Sequence, residues 1–130
     1  DGILLRIQNS TNTISYAAAN NHPIVISNNQ ILHLPYDKMP VGKGEKTNEF
    51  GLYIMDVSKG DTVYLYTDGY ADQFGGERGK KFKYKPLNEL LNNINTNSLD
   101  TQKNILDSTF ENWKGDLEQV DDVLVVGVRV

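Results

Sequence analysis

The stretch that most constrains this chain is Val63-Tyr64-Leu65-Tyr66-Thr67-Asp68-Gly69-Tyr70-Ala71-Asp72. It begins as a β-branched and aromatic run, the pattern of a pleated, half-buried strand, and breaks off at an acid followed by Gly. A strand ending on Asp-Gly delivers a carboxylate to a sheet edge. Because Gly carries no Cβ, the backbone beyond it can turn tightly and a ligand can approach closely. Asp72 follows four residues after Asp68 and lies beside it if the chain turns helically there. Far downstream, Gln119-Val120-Asp121-Asp122 places two more acids at the start of another apolar run.

The segments before this stretch are short, apolar and punctuated by turns. Ile3-Leu4-Leu5-Arg6-Ile7 reads as a strand with no natural lead-in after Asp1-Gly2, a start expected of an excised fragment. Thr13 to Ala18, Pro23 to Ile26 and Gln30 to Leu34 are further strand candidates. Asn-rich turns at Asn9-Ser10-Thr11-Asn12 and Ser27-Asn28-Asn29 separate them, so an antiparallel meander is expected. Pro35 to Glu49 reads as a loop. Phe50 to Val57 and Asp61 to Thr67 are expected to pair through a hairpin turn at Ser58-Lys59-Gly60.

After Asp72 the character changes. Gln73 to Lys83 is glycine-rich and basic; its Gly-Arg-Gly-Lys-Lys residues at 76 and 78 to 81 read as a mobile basic loop, the alternative being a segment that steers an anionic phosphopeptide. It is not a phosphate-cradling Walker loop, since the spacing is wrong and no Ser or Thr follows the Lys. Pro86 opens a helix whose Leu87, Leu90, Leu91 and Ile94 fall on one face. Ser98 caps a second helix carrying Leu99, Leu106, Phe110 and Trp113, closed by Lys114-Gly115. Val123 to Val130 is a last, apolar strand. Strands, then helices, then a returning strand make an α+β fold, a mostly antiparallel sheet with helices packed on it.

Composition bounds the function. The chain has 130 residues and 38% hydrophobic content, enough for one domain with a real core. No apolar run approaches the roughly 20 residues of a membrane helix, so no membrane contact by this piece is expected. Seventeen acids against 13 bases leave no basic stripe for a phosphate backbone, which argues against nucleic acid. The absence of cysteine excludes disulfides, thiolate zinc sites and thiol nucleophiles, and suits a reducing, cytoplasmic compartment.

The acids carry the chemistry. Two carboxylates such as Asp68 and Asp121 held about 4 Å apart repel by roughly 4 kcal/mol at an effective dielectric near 20, so they need a cation or a shared proton. All-oxygen ligation selects Mg²⁺ or Mn²⁺ over zinc or copper. The plainer alternative is a strand-ending turn at Asp68-Gly69 and a solvated acidic loop at Asp121-Asp122.

Tyr66-Thr67-Asp68-Gly69-Tyr70-Ala71-Asp72 together with Gln119-Val120-Asp121-Asp122-Val123-Leu124-Val125-Val126 resembles the protein phosphatase 2C (PPM) superfamily. The likeness is greatest to its bacterial branch typified by the stage II sporulation phosphatase E (SpoIIE). Tyr16-Ala17-Ala18-Ala19-Asn20-Asn21-His22-Pro23 is similar to that branch's Ala-Gly-His-Pro or Ala-Asn-Asn-Pro turn, and Lys38-Met39-Pro40-Val41-Gly42 to its Pro-Ile-Gly loop. The four motifs stand in the family's order across the chain.

The resemblance implies a PPM-type αββα sandwich, present as a partial domain: residues 1–130 would be the C-terminal part of a single phosphatase domain. It implies that Asp68 and Asp121 are metal ligands, and that Asp72 helps hold a third, weaker metal. It further implies a two-metal Mn²⁺ or Mg²⁺ site whose hydroxide attacks phosphoserine or phosphothreonine in line. Implied partners are a phosphorylated regulatory protein of the anti-anti-sigma type and a sensor or receiver module fused upstream. The family's first metal motif, an Asp followed by Gly-His-Gly, is missing here, and Asp1-Gly2 does not match it. The metal site is therefore expected to be incomplete and the piece inactive alone, with unpaired sheet edges that drive self-association. Leu124 stands where the family usually has Thr or Ser. Strand parity leaves Asp121 and Asp122 open, since Leu124, Val126, Val128 and Val130 share a face with Asp122. Asn21 falls on the family's histidine position with His22 beside it, and His33 alternates with apolar neighbours as a strand-surface residue.

Two other readings are kept. A non-catalytic, phosphatase-like module that binds a regulatory partner would also carry these motifs. A haloacid-dehalogenase-like phosphotransferase also ends a strand on Asp, but it needs an acid two residues later, where this chain has Tyr70.

Overall fold

The computed structural model describes residues 1–46 and 48–130. Its elements run β1 (Gly2–Gln8), β2 (Thr13–Ala19), β3 (Ile24–Ser27), β4 (Gln30–Leu32), β5 (Tyr53–Asp56), β6 (Thr62–Tyr66), α1 (Gly69–Asp72), β7 (Phe74–Gly75), β8 (Lys80–Lys81), α2 (Tyr84–Ile94), α3 (Leu99–Lys114) and β9 (Val125–Arg129). The expected α+β class holds. The chain divides into two compact units, Asp1–Leu65 with Val128–Val130, and Tyr66–Gly127.

The first unit holds two sheets, and here the expected meander is corrected. β1 and β2 form an antiparallel hairpin, Leu4 opposite Ala17 and Ile7 opposite Ile14. β3 and β4 form another, Val25 opposite Leu32, but β2 and β3 belong to different sheets, ordered β1-β2-β5 and β4-β3-β6-β9. The chain leaves β2 through Asn20, at φ 57°, and Asp37 of the long loop takes up the Ala18 carbonyl and the Asn20 amide at 2.9 and 2.8 Å. Pro23 then offers no N–H for continued pairing.

The expected hairpin between β5 and β6 is also overturned. β5 pairs with β2, whereas β6 pairs with β3, so Ser58-Lys59-Gly60 is a crossing between sheets. The turn itself is well built. The Asp61 carboxylate accepts from the Ser58 amide at 2.8 Å, Gly60 sits at φ 98°, and the Gly60 amide and Asp61 carbonyl are taken by Val130 at 2.7 and 2.9 Å. With those groups occupied by the returning strand, β5 has no ladder to form beside β6. Ile14, Val25, Val57 and Val63 meet in a buried cluster, with Leu5, Ile7, Leu32, Leu34, Met55 and Val130 packed around it. Burial of such side chains is worth about 1.5–3 kcal/mol each.

The second unit follows the helical periodicity closely. α2 buries Leu87, Leu91 and Ile94 and begins two residues before Pro86. α3 is capped by Ser98, whose hydroxyl accepts from the Thr101 amide at 3.2 Å. It ends on Gly115, at φ 54°, whose amide bonds to the Glu111 carbonyl at 2.9 Å. Tyr70, Phe82, Phe110 and Trp113 form a chain of aromatic contacts, with centroids 5.1 to 5.4 Å apart. Among the described residues no helix is long and apolar enough to cross a membrane.

Candidate metal centre

Asp68 stands where β6 gives way to α1, half-buried, in helical backbone geometry and without a side-chain capping bond. The Asp72 amide donates to the Asp68 carbonyl at 2.9 Å, so the short helix brings the two acids one turn apart, as the sequence spacing requires. Lys81 reaches across from β8 to the Asp72 carboxylate at 3.0 Å. The Tyr84 ring lies 6.1 Å from that of Tyr66. Its phenol is pushed above the ordinary value, by burial first and then by the negative charges of Asp68 and Asp72.

The acidic segment before β9 is fastened to this strand end by backbone. The Thr67 hydroxyl donates to the Asp122 carbonyl at 2.8 Å and accepts from the Leu124 amide at 3.0 Å. The Thr67 amide donates to the Leu124 carbonyl at 3.0 Å. A Cβ on Gly69 would stand 2.3 Å from the Asp122 carbonyl oxygen, so the glycine of the Asp-Gly pair is required by the approach of Asp122. Within this chain the close neighbour is protein, where the sequence suggested a ligand. Asp121 and Asp122 are both exposed. The Asp121 carboxylate accepts from the Asp122 amide at 2.7 Å, and Gln119 holds the Asp121 carbonyl at 2.8 Å. Leu124 and Val126 are 56% and 39% exposed, so the even-numbered face is not core at this end of the strand and parity does not favour Asp122.

Gln73 is a positioning residue that sequence reasoning missed. It is fully buried, and its amide nitrogen donates to the carbonyls of Phe74 at 3.0 Å and Glu118 at 2.9 Å. Its main-chain carbonyl accepts from the Trp113 indole at 2.9 Å. One polar side chain thus links the end of α1 to the lead-in of the Asp121 segment. A Gln within a glycine-rich stretch gives no periodic signal, so only tertiary placement reveals it. The two histidines lie in the other unit: His22 packs on Tyr36 with centroids 5.3 Å apart, and His33 is exposed just beyond β4, as expected.

The donors are carboxylates, which suit a hard cation such as Mn²⁺ or Mg²⁺. Their number falls short, because among the described residues no three His, Asp or Glu side chains converge into a metal-holding group.

No curated protein matches the chain. The family model for Stage II sporulation protein E (SpoIIE) matches residues 2–130. The structure is similar to the SiaA PP2C domain of Pseudomonas aeruginosa, with a TM-score of 0.90 and 23% identity over 98% of this chain and 50% of that one. It is also similar to the manganese-presoaked phosphatase domain of the cell fate determinant SpoIIE from Bacillus subtilis, with a TM-score of 0.71 and 16% identity over 98% of this chain and 55% of that one. The chain therefore spans about half the length of these solved structures. With a family model matched along nearly its whole length, and a fold shared with both PP2C structures, the chain belongs to the Stage II sporulation protein E (SpoIIE) family.

Proposed function

We propose that this chain is the C-terminal part of a metal-dependent serine/threonine phosphatase domain, in which Asp68 and Asp121 hold Mn²⁺ or Mg²⁺ and Asp72 contributes to a weaker site. The observation that carries this reading is the fastening of the Asp68 strand end to the Asp121–Asp122 segment through Thr67 and Gly69. The remaining ligands belong to the part of the domain preceding this chain. When bound, the metal supplies Lewis acidity toward a phosphoryl oxygen and a water nucleophile. This chain's own contribution is to fix the carboxylates: Thr67 by its two hydrogen bonds, Gln73 by bridging to Glu118, and α1 by setting Asp72 one turn from Asp68. The substrate is a phosphorylated regulatory protein of the anti-anti-sigma kind, acted on in the cytoplasm under control of a sensor or receiver module upstream.

A second reading is a non-catalytic module that binds a regulatory partner, which would carry the same motifs. One experiment separates the two. The protein extended upstream is assayed on a phosphoserine peptide with and without Mn²⁺, beside its Asp68→Asn variant, and Mn²⁺ binding is followed by calorimetry. Hydrolysis that requires the metal and disappears in Asp68→Asn is the expected result. An extended protein that neither binds Mn²⁺ nor hydrolyses the peptide would establish the binding module instead.

A further inference from the structure

The β7–β8 hairpin and the start of α2 concentrate positive charge on a chain whose net charge is −4. Arg78, Lys80, Lys81, Lys83 and Lys85 fall within eight residues, and all five are exposed. The segment is not the loose loop its glycines suggest. Gly75 meets the end of α3 so closely that a Cβ there would stand 1.8 Å from the Trp113 carbonyl oxygen, and the Gly76 amide donates to that oxygen at 2.8 Å. The Phe82 amide bonds to the Gln73 carbonyl at 2.9 Å, and the Lys83 amide to the Ala71 carbonyl at 2.7 Å. The hairpin is thus riveted to α1 and α3 at both ends.

The cations divide by their partners. Lys81 is engaged by Asp72 at 3.0 Å, and Lys85 faces Glu89 at 4.0 Å. Among the described residues Arg78, Lys80 and Lys83 have no carboxylate within ion-pair distance. Arg78 and Lys80 on the hairpin and Lys83 at the entry to α2, none with an ion pair among the described residues, lie near the short helix that carries Asp72 and make a patch opposite in sign to the chain's net charge. Like-charge repulsion among them has no folding benefit. Their placement has one consequence for binding: it attracts anions to the acid-bearing end of β6 and α1.

We propose that the β7–β8 hairpin is the docking surface for an acidic stretch of the phosphoprotein substrate, read by Arg78, Lys80 and Lys83. The proposal rests on the phosphatase reading and adds to it the class of substrate sequence, a phosphoserine or phosphothreonine flanked by Asp and Glu. An extended acidic segment lying on the hairpin neutralises the three cations and brings its phosphorylated residue toward Asp68 and Asp72. Because the bases are exposed, the attraction is screened by salt.

The test uses the protein extended upstream and its Arg78→Glu/Lys80→Glu variant. Michaelis constants are measured for an acid-flanked phosphoserine peptide and for p-nitrophenyl phosphate at low and high salt. Binding of the same peptide in unphosphorylated form is followed in parallel by fluorescence anisotropy. The expected result is a rise of about tenfold in the ratio of the two KM values at low salt, shrinking at high salt, with a matching loss of peptide affinity. An unchanged ratio and unchanged anisotropy would overturn the proposal. So would a variant that keeps its affinity for the peptide but loses binding to vesicles containing phosphatidylserine, which would make the hairpin a membrane-facing patch. The anisotropy arm reads docking even where no turnover occurs, so failure of the phosphatase reading and failure of the docking surface are told apart.

Discussion

At the scale of single residues, Thr67 has the largest role for its size. Its hydroxyl uses both donor and acceptor capacity on the Asp122–Leu124 backbone, whereas the sequence motif drew attention to the acid beside it. Replacing Thr67 by Val keeps the shape and removes both bonds, leaving the Leu124 amide without its partner. An unmade bond of this kind costs about 1–2 kcal/mol. Urea unfolding of Thr67→Val is expected to show that loss, and Thr67→Ser to recover most of it. Equal stability of the two variants would show that the hydroxyl does not fasten the acidic segment. Gly69 belongs to the same contact. Its identity was legible in the sequence, but the reason for it was not, because the group that crowds it is 53 positions downstream.

At the scale of elements, the helices were the most readable and the sheet pairings the least. The i, i+3, i+4 spacing of Leu87, Leu90, Leu91 and Ile94 gives α2 its buried face, and Ser98 and Gly115 bound α3 where cap chemistry places them. Strand periodicity shows that a segment is extended and which residues share a face. It does not say which strand lies alongside, so a pair of hairpins in separate sheets reads the same as a meander. The β7–β8 hairpin makes the point within one element, since its glycines signal freedom in sequence and serve close packing in the fold. Gly75→Ala forces a methyl group into the Trp113 carbonyl. It is expected to cost about 1–3 kcal/mol and to change the fluorescence of Trp113, the chain's single tryptophan. A variant with unaltered emission and stability would mean that the hairpin is not seated on α3.

At the scale of the whole molecule, the sheet β1-β2-β5 ends on two strands whose outer edges are unpaired within the sheet. Its outward face carries Leu4 at 78% and Ile54 at 67% exposure, with Leu52 beside them at 70%. Among the described residues no further strand pairs with those edges, and exposed apolar groups beside such edges favour association. The 130-residue chain is therefore expected to elute from gel filtration with an apparent mass that grows with concentration. A well-folded monomer at high concentration would contradict this.

What the sequence by itself determined is the fold class and the family: acid-bearing segments at two strand ends, no thiol, helices with one buried face, and a family signature carried by contiguous motifs. These are local properties, set by residue type and short-range periodicity. Only the tertiary structure decided which strands pair, that Asp122 rather than a ligand crowds Gly69, that Gln73 ties α1 to the Glu118 backbone, and that the glycine-rich segment is a seated hairpin. Each of these depends on groups far apart in the chain, brought together by hydrogen bonding and close packing that no single stretch of sequence specifies.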